Sequence, residues 1–189
     1  MQPERVALFD LDGSLADYDS RMRQELQTIL APGEVVPDNP WTAESYWERR
    51  MDLIKRQPGF WRNLEPIPLG VRVFALFCEL DFRCMILTKG PRRTTAAWTE
   101  KLEWCQQHLP EASVTITEDK GLVYGKVLYD DWPAYIERWL QWRPRGLVFM
   151  RDTPYNRDFS HPQVCRLYDH GTAQDTRIQV LARLGVLND

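Results

Sequence analysis

Short apolar runs alternate with amphipathic segments along most of the chain. Val6–Phe9, Arg83–Leu87, Val114–Thr117, Val127–Tyr129, Gly146–Met150 and Val164–Tyr168 are rich in β-branched or apolar residues and end on polar ones, the pattern of buried strands. Between and after them, Thr94–His108, Trp132–Gln141 and Ala173–Leu184 carry apolar residues at helical spacing. Strand and helix in alternation predict an α/β protein with a doubly wound parallel sheet. In such a sheet, polar residues just past the strands' carboxyl ends line the ligand crevice.

The stretch from Asp17 to Leu69 breaks the alternation. It is aromatic and punctuated by Pro32, Pro37, Pro40, Pro58, Pro66 and Pro68. A helix over Asp17–Leu30, a proline-broken link, a helix over Thr42–Arg56 and a turn at Pro58-Gly59 predict a small helical cap inserted after the first strand. The expected division is therefore a catalytic core of residues 1–16 and 70–189 and a cap of residues 17–69.

Composition narrows the class. With 189 residues, 43% hydrophobic and 27% charged, the chain has the make-up of one compact domain with a modest insertion, so collagen-like and disordered readings fall away. The formal net charge of −3 argues against a duplex nucleic-acid binder with a broad basic face. No apolar run approaches the ~18 residues of a membrane span, and no secretory signal opens the chain. Cys78, Cys84, Cys105 and Cys165 follow no metal-binding or disulfide spacing, and His108, His161 and His170 show no pairing with a nucleophile and no metal-ligand spacing. A cytoplasmic monomer or homodimer, with no membrane and no duplex nucleic acid as partner, is expected.

The chemistry concentrates at strand ends. Leu8-Phe9-Asp10-Leu11-Asp12-Gly13-Ser14 places carboxylates at i and i+2 where the first strand stops, on one face if the backbone stays extended, and Gly13 permits a sharp turn. As a solvated loop with a helix-capping Asp this motif would be ordinary. Its partners make that reading less economical: Thr88 follows Met85-Ile86-Leu87, and Asp130-Asp131 follow Val127-Leu128-Tyr129. Clustered carboxylates without His or Cys suit a hard cation such as Mg²⁺, which combines few carboxylates with waters and a phosphate. One carboxylate can then attack phosphorus, a second can act as general acid and base, and a hydroxyl with the cation can hold the phosphoryl oxygens.

On these residues the chain resembles the haloacid dehalogenase-like phosphohydrolase superfamily along nearly its whole length. The superfamily's Asp-x-Asp-x-[Thr/Val/Ser] motif corresponds to Asp10–Ser14, its strand-end Thr or Ser to Thr88, and its acidic pair to Asp130-Asp131. Residues 12–18, 58–68 (Pro-Gly-Phe-Trp-Arg-Asn-Leu-Glu-Pro-Ile-Pro), 97–101 (Ala-Trp-Thr-Glu-Lys), 117–123 and 129–131 resemble the 5′(3′)-deoxyribonucleotidase branch more specifically. The resemblance implies Asp10 as the phosphoryl-accepting nucleophile and Asp12 as general acid/base with its backbone carbonyl on the metal. It further implies Thr88 as a phosphoryl ligand, and Asp130 and Asp131 as residues that fix Mg²⁺ directly or through water. The family's cationic third motif departs from pattern: the lysine expected just before Ala-Trp falls on Thr95. Lys89, Arg92, Arg93 and Lys120 are the nearby substitutes, with Arg92 and Lys120 ranked first. Lys126, where the family has an acid, either adds charge near the site or lies on the strand's edge.

Tyr18, Trp41, Tyr46, Trp47, Phe60 and Trp61 concentrate aromatic surface in the expected cap, either as its own small core or as a stacking face for a nucleobase. By resemblance Tyr18, Phe60 and Trp61 line the base pocket, and Lys89 is assigned to substrate binding. Thr153–Arg157 reads as a surface turn by composition, with a crevice loop as its alternative. The expected activity is Mg²⁺-dependent hydrolysis of a nucleoside monophosphate, deoxyribo by resemblance, through an aspartyl-phosphate. Other readings are a phosphatase for a sugar phosphate or a polynucleotide end, and a catalytically silent nucleotide-binding relative. A receiver-like signalling domain would place its acidic pair on the first strand and its phosphate-accepting Asp later, the reverse of the order here.

Overall fold

The computed structural model describes residues 5–41 and 45–185. Strands β1 (Val6–Phe9), β2 (Arg83–Lys89), β3 (Ser113–Thr117), β4 (Val127–Tyr129), β5 (Leu147–Arg151) and β6 (Val164–Leu167) lie close to the expected runs. The helices are α1 (Tyr18–Thr28), α2 (Ser45–Ile54), α3 (Pro68–Glu79), α4 (Thr95–His108), α5 (Pro133–Gln141) and α6 (Ala173–Gly185). All strands pair in parallel in one sheet of order β3-β2-β1-β4-β5-β6. This is the doubly wound α/β architecture that the alternation predicts.

The sheet's two faces follow the side-chain alternation of β1. Ala7 and Phe9 join the cluster built with α3, α4 and α6, whereas Val6 and Leu8 pack with Ile136, Trp139 and Leu140 of α5. Phe9 is fully buried, with ring centroids 4.9 Å from Phe74 and 5.7 Å from Tyr129. Removing a ring so placed would cost about 3–5 kcal/mol.

Three differences from the sequence reading have physical causes. Strand β2 runs on through Thr88 and Lys89, because these residues pair with Ile116 and Thr117 of β3, so Thr88 lies within the strand rather than after it. Helix α3 went unread because Leu69, Gly70, Val73, Phe74, Leu76 and Phe77 are all buried and leave little polar face to reveal a period. The expected boundary between residues 69 and 70 consequently falls in the first turn of this helix. The expected start of the second cap helix, Thr42, lies outside the described residues. Asp17 is the N-cap of α1 and accepts from the Ser20 amide at 3.1 Å, so that helix begins one residue later than expected.

Between β1 and α3, helices α1 and α2 and the aromatic turn after them pack on the same cluster as the sheet's α3 face, through Met22, Leu26, Met51, Ile54 and Phe60. Glu100 of α4, buried, fastens this segment by accepting from the Gly59 and Trp61 amides at 2.6 and 3.0 Å.

Candidate active site

The sheet order reverses direction between β1 and β4, and the chain's acidic residues emerge there. The Asp10 amide donates to Tyr129 O at 2.8 Å and the Asp130 amide to Phe149 O at 3.2 Å, which extends the parallel ladders by one residue and fixes both side chains at the carboxyl edge. This is where open α/β sheets hold their ligands. Past Asp10 the chain closes into a tight loop, with Gly13 N donating to Ala16 O at 2.8 Å. Gly13 has φ +81°, and a Cβ there would strike the Asp131 carboxylate. Gly70 likewise lets α3 approach the Ser14 carbonyl behind the loop.

Asp10, Asp130 and Asp131 are buried, and each offers a carboxylate oxygen within 4.8 Å of the others. Lys120, 3% exposed, stands against them with Nζ 2.6 Å from Asp10 Oδ1 and 2.7 Å from Asp130 Oδ2. Burial alone would lower the Lys120 pKa, but these carboxylates outweigh it and hold the ammonium above its ordinary value. Burial pushes Asp130 up to about 6. Asp131 is raised well above the usual carboxylate range, first by burial and then by the negative charge of Asp10 and Asp130. One lysine does not balance three clustered acids. A hard-oxygen donor set left short of positive charge fits a divalent cation such as Mg²⁺.

Asp131 is held by donors on both oxygens: Ser14 Oγ reaches Oδ1 at 2.9 Å, and the Tyr155 hydroxyl donates to Oδ2. Asn156, 1% exposed, donates to the Asp131 and Arg151 carbonyls at 2.8 and 2.9 Å. Thr153–Asn156 is therefore a crevice loop, contrary to the surface turn its composition suggests. Its position directly beyond β5 was the available signal.

Asp12 is set apart from the acidic cluster. Its Oδ2 accepts from Lys101 Nζ, while Oδ1, also buried, has no hydrogen-bond partner among the described residues. Burial raises the Asp12 pKa more than the Lys101 charge lowers it. Lys101 is 1% exposed and also donates to Lys89 O at 2.7 Å and Thr88 Oγ1 at 3.2 Å. Sequence reasoning gave this lysine no role. Its signal was positional, for Glu100-Lys101 sit in the second turn of α4 at the end of the Ala-Trp-Thr-Glu-Lys segment.

Above these groups opens a cavity of about 890 Å³. Asp10, Asp12, Lys101 and Asp131 line its floor; Tyr18, Asp19, Trp41, Met51 and Trp61 form one wall; Lys89, Arg92, Arg93, Trp132 and Tyr135 form the other. Tyr18 and Trp61 stack, with centroids 5.4 Å apart and planes 21° from parallel. Asp19, in the same wall, is pushed up to about 6 by burial.

Several expected site residues are placed differently. Phe60 does not line the cavity: at 1% exposure it packs edge-on behind Tyr18 and Trp61 and serves the core. Arg92 is not brought to Asp10; it extends along the rim into a bidentate pair with Glu118. Lys120, its co-ranked alternative, makes the carboxylate contacts instead. Lys89 lies on the wall 5.0 Å from the Tyr135 ring centre. Lys126 precedes β4, at the sheet's far edge from the site. Among the described residues all four cysteines are free, and no helix is long and apolar enough to cross a membrane.

Solved structures resemble this arrangement. A haloacid dehalogenase-like family hydrolase from Xanthomonas campestris covers 97% of this chain and 99% of its own, with a TM-score of 0.53 at 15% identity, a likeness of fold alone. The fold is of the haloacid dehalogenase-like class, with acids at its strand ends. Sequence comparison then gives the family: the profile of the 5′ nucleotidase, deoxy (pyrimidine), cytosolic type C protein matches residues 4–179, and the chain belongs to that family. It is accordingly a phosphomonoester hydrolase. A Bordetella pertussis protein named "Putative 5′(3′)-deoxyribonucleotidase" is 33% identical over 171 residues, 81% of this chain and 86% of its own length. The human 5′(3′)-deoxyribonucleotidase, cytosolic type, is 30% identical over 138 residues, 66% and 69% of the two chains.

Proposed function

We propose that the protein is a Mg²⁺-dependent phosphatase of nucleoside monophosphates, deoxyribonucleotides foremost, that works through a phosphoryl group carried on Asp10. The observation that carries this reading is the acidic cluster at the base of the cavity: three buried carboxylates within 4.8 Å, of which Asp10 and Asp131 line the cavity, with Lys120 on Asp10 and Asp130. The names of the Bordetella and human relatives supply the substrate class.

In this reading Asp10 attacks phosphorus in line, the ester P–O bond breaks, and its electron pair leaves with the nucleoside oxygen. Asp12 protonates that oxygen and then takes a proton from the water that hydrolyses the acyl-phosphate. Lys120 and the Thr88 hydroxyl supply positive charge and a donor for the phosphoryl oxygens. Asp10, Asp130, Asp131 and the Asp12 carbonyl would hold a Mg²⁺ ion, which would neutralise charge on the transferring group. Tyr18 and Trp61 offer the base a stacking face. Residues 17–69 act as the cap over a core of residues 1–16 and 70–189. A cytoplasmic place of action agrees with the human relative's cytosolic type.

The test is phosphate release from a panel of 5′- and 3′-nucleotides, sugar phosphates and an aryl phosphate, with Mg²⁺ or EDTA. Turnover concentrated on nucleotides and lost with EDTA supports the reading. Turnover confined to sugar phosphates would discard the nucleotide assignment, and no turnover would leave a silent binding protein.

A further inference from the structure

We infer that Lys101 is a positioning residue that assigns separate duties to the two oxygens of Asp12 and orients the Thr88 hydroxyl. The inference rests on the phosphatase reading above and lies outside the residues that reading uses.

An ammonium group has three N–H donors. Lys101 spends them on Asp12 Oδ2, on Lys89 O at 2.7 Å and on Thr88 Oγ1 at 3.2 Å. No donor is left for a substrate, so although Lys101 borders the cavity it is not a phosphate ligand. What it does is anchor. With Oδ2 tied down, Oδ1 is the Asp12 oxygen left without a partner among the described residues; itself buried, in a residue that lines the cavity, it passes a proton to the leaving oxygen and receives one from water in the inferred arrangement. Thr88 accepts from Lys101, which turns its own O–H proton away from the lysine. That proton is then free for a phosphoryl oxygen.

Two further contacts hold the anchor. The Lys101 ammonium lies 4.6 Å from the Trp61 ring centre, and its neighbour Glu100 binds the Gly59 and Trp61 amides. One turn of α4 thus ties the aromatic wall and the proton-transfer group to the same backbone. A lysine buried to this degree needs such partners, because an unpaired charge there would be strongly disfavoured.

The leaving group provides the test. A nucleoside alkoxide needs a proton as it departs, whereas p-nitrophenolate does not. For Lys101→Met, kcat on a nucleotide that the wild type turns over should fall by about 10²-fold or more, the scale of lost general acid–base catalysis, with KM within a few-fold. With p-nitrophenyl phosphate the same variant should release a rapid burst of nitrophenolate approaching the enzyme concentration. Slow turnover follows, because water attack on the acyl-phosphate still needs Asp12 Oδ1. Lys101→Arg keeps the charge but not the compact three-donor geometry, and should show the same split in smaller measure. It carries the test if the Met variant does not fold.

Parallel losses on both substrates without a burst, a change confined to KM, or wild-type nucleotide turnover in Lys101→Arg would each overturn the inference. Failure of the parent reading has another signature: wild-type protein without metal-dependent phosphatase activity, or activity that survives Asp10→Asn.

Discussion

The floor of the crevice and its aromatic wall are built on different principles. The floor and the groups directly behind it are polar or charged, and most of them sit at the ends of strands of one sheet: Asp10 after β1, Thr88 in β2, Asp130 and Asp131 after β4. The wall is mainly aromatic, with Asp19 beside the rings, and comes from the segment between β1 and α3, fastened to the core side by Glu100 and by the Trp104 indole, which donates to Leu64 O at 2.7 Å. Rigid placement suits bond-making, which tolerates little misalignment, whereas stacking on a ring face tolerates more. In the proposed function, chemistry belongs to the floor and choice of substrate to the wall.

The sharpest separation of the two comes from Asp10→Asn, which should reduce phosphate release by at least about 10³-fold on every substrate, nucleotide or aryl, because it removes the nucleophile itself. Steady-state assays across the panel check it, and selective loss on nucleotides would break the comparison. Lys120→Met is next. It leaves Asp10 and Asp130 buried without their ammonium, so metal-free protein should lose about 3–5 kcal/mol of stability, read by denaturant melts, along with activity.

Trp61→Leu should act mainly on the wall, because Lys101 keeps its three hydrogen-bond partners without the ring. Loss of one stacking face, worth about 1–3 kcal/mol, should raise KM for nucleotides roughly tenfold or more and leave the aryl phosphate nearly unchanged. Equal effects on both would mean that Trp61 supports the floor.

The floor should also respond to pH. Asp130 at about 6, and Asp131 well above its ordinary value, bind protons in the native state that their unfolded forms, near 3.8, do not. The folded state holds more protons through that window, so metal-free stability should fall as pH rises from about 4 towards 7. Mg²⁺ competes with those protons and should raise the melting temperature more at pH 7 than at pH 5. A Mg²⁺ shift that is larger at pH 5 would contradict the carboxylate site. The smallest effect belongs to Arg92→Ala: its guanidinium pairs with Glu118 at the exposed rim, and both melting temperature and kcat should stay close to wild type.

The contrast between floor and wall also explains what was legible in the sequence. Strand-end acids announce themselves, because an apolar run followed by Asp-x-Asp or Asp-Asp fixes both the element and the place of the side chain. Lys101 could not be read this way: it lies inside a helix, and its burial against Asp12 arises only when α4 packs beside the β1 loop. Phe60 and Trp61 are adjacent aromatics with the same propensities, yet Trp61 reaches the cavity and Phe60 the core, a choice made by packing. Helix α3 was hidden by its own burial. Tyr155 and Asn156 looked like turn residues because composition records polarity, not the buried Asp131 that their hydrogen bonds serve.

The central claim is that Asp10 carries the phosphoryl group. Rapid acid quench during the first turnover, followed by peptide mass spectrometry, tests it directly. The account predicts one phosphoryl group on the peptide that holds Asp10, located on that residue and absent in Asp10→Asn. Turnover that yields free phosphate with no phosphorylated protein, or with the group on another residue, would contradict it.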